Sequence, residues 1–281
     1  MLTLFRILST LPLGLMQAVG WMGGWLAFAV SGSYRQQFLT NTRQAAFSWA
    51  QTRGAVGAAG QLLAELPRLW FGSAPAVQWR GSEHIDAALG LNRGIIFLTP
   101  HLGCFEVTAQ AYAQRFGQER FGQAGHPMTV LFRPPRKPWL HELVASARAR
   151  PGLHTAPTTL AGVKQMIKAL RKGDCVGLLP DQVPPQGQGV WATFFGRDAY
   201  TMTLAVRLAQ QTNASVLIAW GERLIGARGY QVHVRPLPVH LPGDVGQAVA
   251  VINRTMEDLI RQCPQQYLWG YARYKAPRDE V

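Results

Sequence analysis

Short, wholly apolar runs recur along this chain, each followed by a stretch with helical spacing, and this alternation limits the fold most. Residues 94–99 (Gly-Ile-Ile-Phe-Leu-Thr), 128–132, 175–179 and 216–220 are such runs, with residues 77–79 and 230–235 as more mixed companions. A strand that is apolar on both sides needs cover on both sides, so the pattern predicts an α/β fold with a largely parallel central sheet flanked by helices. Between the strands the spacing predicts helices over residues 36–70, 105–116, 139–149, 204–211 and 245–261. A further helix, capped by Thr158, runs through Val163, Met166 and Leu170 and stops at Gly173. Residues 180–189 read as a loop, and Trp191-Ala192-Thr193-Phe194-Phe195-Gly196 after it as an aromatic run that is also inside a loop.

The N-terminus adds a second constraint. Residues 7–34 hold no charged side chain, and Ile7 to Val30 is long enough for an apolar membrane helix. Trp21 and Trp25 suit the interface, and Arg35, Arg43 and Arg53 meet no acid before Glu65, which puts the downstream side in the cytoplasm. Residues 1–35 are therefore expected to form a membrane anchor, spanning or interfacial, and residues 36–281 the working domain. Ala27-Phe28-Ala29 resembles a signal-peptidase site, but two tryptophans and two glycines just before it make a poor cleavage region.

Charged residues are only 15% of the chain, yet Lys and Arg exceed Asp and Glu by 13, which implies anionic partners. No aromatic-interleaved basic stripe, phosphate-binding glycine loop or nucleotide motif accompanies that charge, so nucleic acid is not expected. Arg148, Arg150, Lys164, Lys168, Arg171 and Lys172 form either a solvated face or a docking patch for an acidic partner or anionic lipid. Three scattered cysteines exclude a disulfide scaffold, and no metal is expected.

In parallel sheets ligands gather beyond the carboxyl ends of the strands. Past residues 94–99 stand Pro100-His101-Leu102-Gly103-Cys104-Phe105-Glu106. On one helix, five residues turn through about 500° and would separate the His101 and Glu106 side chains. They meet only if His101 lies in the loop and Glu106 in the first helical turn, an arrangement suited to a general base oriented by a carboxylate. The alternative is a capping glutamate and a half-buried histidine. The same helix terminus offers amides to an oxyanion. Arg133 projects from the next strand's end as an anion ligand or a surface arginine, and Asp181 from the third as a site residue or turn-former. Phe194 and Phe195 belong to the core or to an apolar ligand. Cys104 stands near His101 as an alternative nucleophile without independent support.

Taken in order, residues 93–103, Phe132-Arg133-Pro134, Pro180-Asp181-Gln182 with Phe194-Phe195-Gly196, and residues 264–269 with Arg273 and Lys275 resemble the lipid A biosynthesis branch of the lysophospholipid acyltransferase superfamily. The family's usual Asn-Trp-Glu is replaced by Cys104-Phe105-Glu106, and its Pro-Glu-Gln-Tyr by Pro264-Gln265-Gln266-Tyr267. The resemblance implies a glycerolipid-acyltransferase-like fold at the bacterial inner membrane. It implies acyl carrier protein as thioester donor, a lipid A precursor as acceptor, and no cofactor. His101 and Glu106 would be catalytic, and Gly103, Arg133, Asp181, Gln182, Phe194 and Phe195 substrate-binding. A glycerolipid acceptor, or a non-enzymatic basic membrane-associated protein, stands as the alternative.

Overall fold

The computed structural model describes residues 2–119, 125–132, 143–144 and 150–279. Its N-terminal third is helical: α1 (Leu2–Leu8), α2 (Leu13–Val30), α3 (Gly32–Gln44), α4 (Trp49–Thr52) and α5 (Gly54–Phe71). The expected single anchor helix is thus split, because Pro12 sits just before α2 and lacks the amide that would continue α1. The alternating part follows: β1 (Val77–Arg80), α6 (Glu83–Leu89), β2 (Ile95–Leu98), α7 (Phe105–Arg115), β3 (Met128–Phe132), β4 (Leu153–Pro157), α8 (Leu160–Arg171) and β5 (Cys175–Leu178). The chain closes with β6 (Gly189–Phe194), β7 (Arg197–Met202), α9 (Leu204–Thr212), β8 (Ser215–Arg223), β9 (Tyr230–Pro236) and α10 (Val245–Gln262).

Seven strands form one sheet in the order β1-β9-β8-β2-β5-β3-β4, and β6 pairs with β7 as a separate hairpin. Every neighbouring pair in the large sheet is parallel except β8 with β9. Alternation along β2 shows how the layers close. Ile96 and Leu98 enter a cluster with Met166 and Leu170 of α8, Leu208 of α9 and Ile252 of α10, whereas Ile95 and Phe97 join Ile85 of α6 and Val107 and Tyr112 of α7. Helix α5 gives Ala55 and Val56 to the first cluster and Leu69 and Trp70 to the second, so it crosses the end of the sheet rather than lying on one face.

Several expectations change. The cap of α8 is Thr159, whose hydroxyl accepts from the Gly162 amide, rather than Thr158. Residues 189–202 form a hairpin instead of a loop, and β4 was not expected at all. The helix expected over 139–149 falls outside the described residues except for Leu143 and Val144, which are helical.

Candidate active site

Parallel register builds the site. Strands β2 and β5 are neighbours with Leu98 opposite Leu178, and the Thr99 amide donates to the Leu178 carbonyl at 3.0 Å. Three residues past each of these partners stand His101 and Asp181. Both oxygens of the Asp181 carboxylate turn to the same residue: Oδ2 accepts from the His101 backbone amide at 2.8 Å, and Oδ1 lies 2.7 Å from His101 Nδ1. A carboxylate only accepts, so the ring proton resides on Nδ1 and the Nε2 lone pair is left available. The Gln182 amide nitrogen lies 3.0 Å from that Nε2. Phe105 packs on the ring with centroids 4.9 Å apart.

Burial is the largest influence on Asp181 and by itself would raise its pKa. The His101 ring, the two hydrogen bonds from His101 and the charge of Arg273 outweigh it and hold the carboxyl below its usual range. Arg273 is itself buried, and desolvation lowers its pKa despite Tyr267 and Asp181. It donates to the Tyr200 carbonyl at 2.7 Å and to Thr201 Oγ1 at 2.5 Å. The loop bearing His101 is clamped by the C-terminal segment. Leu268 donates its amide to the His101 carbonyl at 3.1 Å, and Gly103 donates to the Gln266 carbonyl at 3.0 Å. Asp181 thus lies 2% exposed beside His101, whose side chain keeps 15% of its surface exposed.

Glu106 stands in the first turn of α7, as expected, but the carboxylate on the His101 ring is Asp181. Glu106 accepts from the indole of Trp70 at 3.4 Å and lies in the field of Arg150. Arg150 itself donates to the Leu69 and Trp70 carbonyls. Gly103 has a structural reason to be glycine: its φ is +62°, and a Cβ there would run into the Gly221 carbonyl oxygen of β8. Phe194 and Phe195 are buried in the hydrophobic core. Arg273 stacks over the Phe194 ring at 5.0 Å, and Phe195 packs on Phe47 and Trp269. Cys104 is fully buried, and desolvation followed by Glu65 pushes its thiol well up, which disfavours a thiolate nucleophile. Arg133 and Arg148 lie outside the described residues.

The fold also redirects the basic cluster. Helix α8 descends from the carboxyl end of β4 to the amino end of β5, so Lys168, Arg171 and Lys172 sit at the sheet edge opposite His101. An apolar cavity of about 40 Å³ lies between α7 and the sheet, lined by Phe97, Thr99, Phe105, Tyr112, Met128 and Leu178 among others. Phe105 therefore borders both the His101 ring and this cavity.

Residues 1–276 match the family model described as bacterial lipid A biosynthesis acyltransferase. The chain belongs to that family. Among its relatives are a lipid A biosynthesis acyltransferase of Haemophilus influenzae, 26% identical over 67% of this chain and 56% of the relative. The lipid A biosynthesis lauroyltransferase of Escherichia coli is 28% identical over 72% of this chain and 62% of the relative. The palmitoleoyltransferase of the same organism is 26% identical over 77% and 68%. In the first two comparisons the chain spans less than two thirds of the relative's length. The family model takes in His101, Asp181, Gln182 and the clamping residues Gln266 and Leu268, as well as α2.

Proposed function

We propose that this chain transfers a fatty acyl group from an acyl-carrier-protein thioester to a hydroxyl of a lipid A precursor, at the cytoplasmic face of the bacterial inner membrane. The observation that carries the reading is His101, half-buried just past the carboxyl end of β2, its Nδ1 bound to buried Asp181 and its Nε2 beside the Gln182 amide. The hydroxyl oxygen attacks the thioester carbonyl carbon while Nε2 takes its proton. As the C–S bond breaks, the imidazolium returns that proton to the leaving thiolate. Asp181 holds the productive tautomer and stabilises the imidazolium. Gln182 must swing away from Nε2 to admit the hydroxyl, and its amide then becomes available to the carbonyl oxygen. Asp181 orients the base in this mechanism, and Glu106, which accepts from Trp70, is given no step. No step calls for a metal or cofactor.

The purified protein, supplied with acyl carrier protein loaded with a fatty acid and a phosphorylated, partly acylated glucosamine disaccharide, is expected to give a product heavier by one acyl group. His101→Ala should slow this about 10²–10⁴-fold while remaining folded. Absence of transfer by the wild-type chain to this acceptor, or a folded His101→Ala variant at wild-type rate, would refute the reading.

A further inference from the structure

We infer that α2 lies flat on a bilayer, its outer face sunk in one leaflet. The inference rests on how α2 is packed and does not depend on the acyl-transfer reading.

Helix α2 is inverted relative to the surface helix of a water-soluble protein. Its one amide side chain, Gln17, points inward and donates to Glu65 Oε1 at 2.8 Å. Its exposed positions are apolar, glycine or tryptophan: Leu15, Val19, Met22 (62% exposed), Leu26 (65%) and Val30 (76%) form a stripe, flanked by Ala18, Trp21, Gly23, Ala27 and Ala29, and an indole suits the headgroup boundary. An apolar face of this length needs an apolar medium.

At 18 residues, about 27 Å, α2 is long and apolar enough to cross a membrane. Its connections forbid crossing. Before it, Phe5 of α1 stacks on Trp70 with centroids 6.1 Å apart, and Arg68 donates to the Ser9 carbonyl at 3.1 Å. After it, Asn41 of α3 donates to the Trp269 carbonyl at 2.6 Å and the Tyr271 carbonyl at 2.7 Å, and Gln44 donates to the Phe195 carbonyl at 2.9 Å. Both ends are fastened to one folded body, so they cannot stand on opposite sides of a bilayer. Along its length α2 presses on α5, with Gly20 and Gly24 against Gly60 and Val56. Peeling it away would expose buried Glu65.

Charge selects lipid over a second copy of the chain. Residues 1–82 hold Arg6, Arg35, Arg43, Arg53, Arg68 and Arg80 but one acid, Glu65, which is buried against Arg223. Arg6, Arg35, Arg43 and Arg53 are exposed, Arg35 against the Phe28 and Ala29 carbonyls at the end of α2, and a surface this basic suits anionic headgroups, whereas two such surfaces would repel each other.

The three native cysteines are buried, so cysteines placed at exposed Thr3 and Ser33 report topology to a membrane-impermeant maleimide. In sealed inverted inner-membrane vesicles both Thr3→Cys and Ser33→Cys are expected to label without detergent. Labelling of one only after permeabilisation would show a crossing helix and overturn the inference. Met22→Asp and Leu26→Asp should weaken binding to phosphatidylglycerol-containing vesicles roughly tenfold or more at unchanged melting temperature. Unchanged vesicle binding would overturn it as well. So would a lipid-free dimer that Met22→Asp converts to monomer with vesicle binding intact.

Discussion

At the scale of single residues, the feature with most consequence is which carboxylate holds the histidine. Asp181 contacts His101 twice, whereas Glu106 is held by Trp70. Groups that act as one unit lose their effect once, whereas groups with separate roles add. In single-turnover assays, Asp181→Asn and His101→Ala should each lower the acyl-transfer rate about 10²–10⁴-fold, with the double variant barely slower than either. Glu106→Gln combined with His101→Ala should instead be slower than His101→Ala alone, by about the factor that Glu106→Gln costs by itself. If the non-additive pair proves to be His101 with Glu106, the orienting role belongs to Glu106. Cys104→Ala should leave the rate near wild type, since burial keeps that thiol protonated.

Among the elements, the α2–α5 pair shows packing overruling intrinsic helix preference. Glycine costs a helix about 1 kcal/mol relative to alanine, so replacing it should stabilise wherever there is room. Gly23 has room, with nothing near the position of a Cβ. Gly60 has none, since its Cβ would strike the Gly20 carbonyl oxygen and the Gly24 amide nitrogen. Backbone cannot rotate aside as a side chain can, so the clash wins there. Gly60→Ala is expected to destabilise by about 1–3 kcal/mol, seen as a lower melting temperature in detergent, while Gly23→Ala raises it slightly or leaves it unchanged. A hidden turn explains the hairpin of β6 and β7. Phe195 and Gly196 both have positive φ, 47° and 74°, as a two-residue hairpin turn needs, but phenylalanine conceals the signal that Asn-Gly would display.

Across the whole molecule, one buried ion pair ties the N-terminal helices to the sheet. Glu65 of α5 receives Gln17 from α2 and both contacts of Arg223 Nε, 2.9 Å each, from the carboxyl end of β8. The side chains are 0% and 5% exposed, so removing one partner strands the other charge away from water. Arg223→Met should cost about 3–5 kcal/mol, whereas adding Glu65→Leu to it should restore most of that loss, because the orphaned charge is then gone. Chemical unfolding in detergent micelles would measure both. A double variant no more stable than Arg223→Met would show that the pair's shape, and not its charge, matters.

Much of this architecture was legible in the chain because it depends on local pattern. Runs such as Ile95-Ile96-Phe97-Leu98 are apolar whatever their neighbours, and they declared the parallel sheet; the stretch without charge around α2 declared an apolar surface. His101 was legible from its place after such a run. Strand β4 was not, since Leu153-His154-Thr155-Ala156-Pro157 lies at the sheet edge and shows no apolar run. The partner of His101 was not legible either. Glu106 is five residues away in the sequence and Asp181 eighty, and only the adjacency of β2 and β5, in a register that sets Leu98 beside Leu178, makes the distant carboxylate the near one. The charge-free stretch likewise left open whether its helix crosses a membrane or rests on it. The fastening of its flanking segments, through contacts from Asn41 to Trp269 and from Phe5 to Trp70, bears on that question and comes from packing alone. Composition and periodicity are properties of neighbours along the chain, whereas strand order and anchoring are set by which surfaces bury one another, and that is decided only when the whole chain packs.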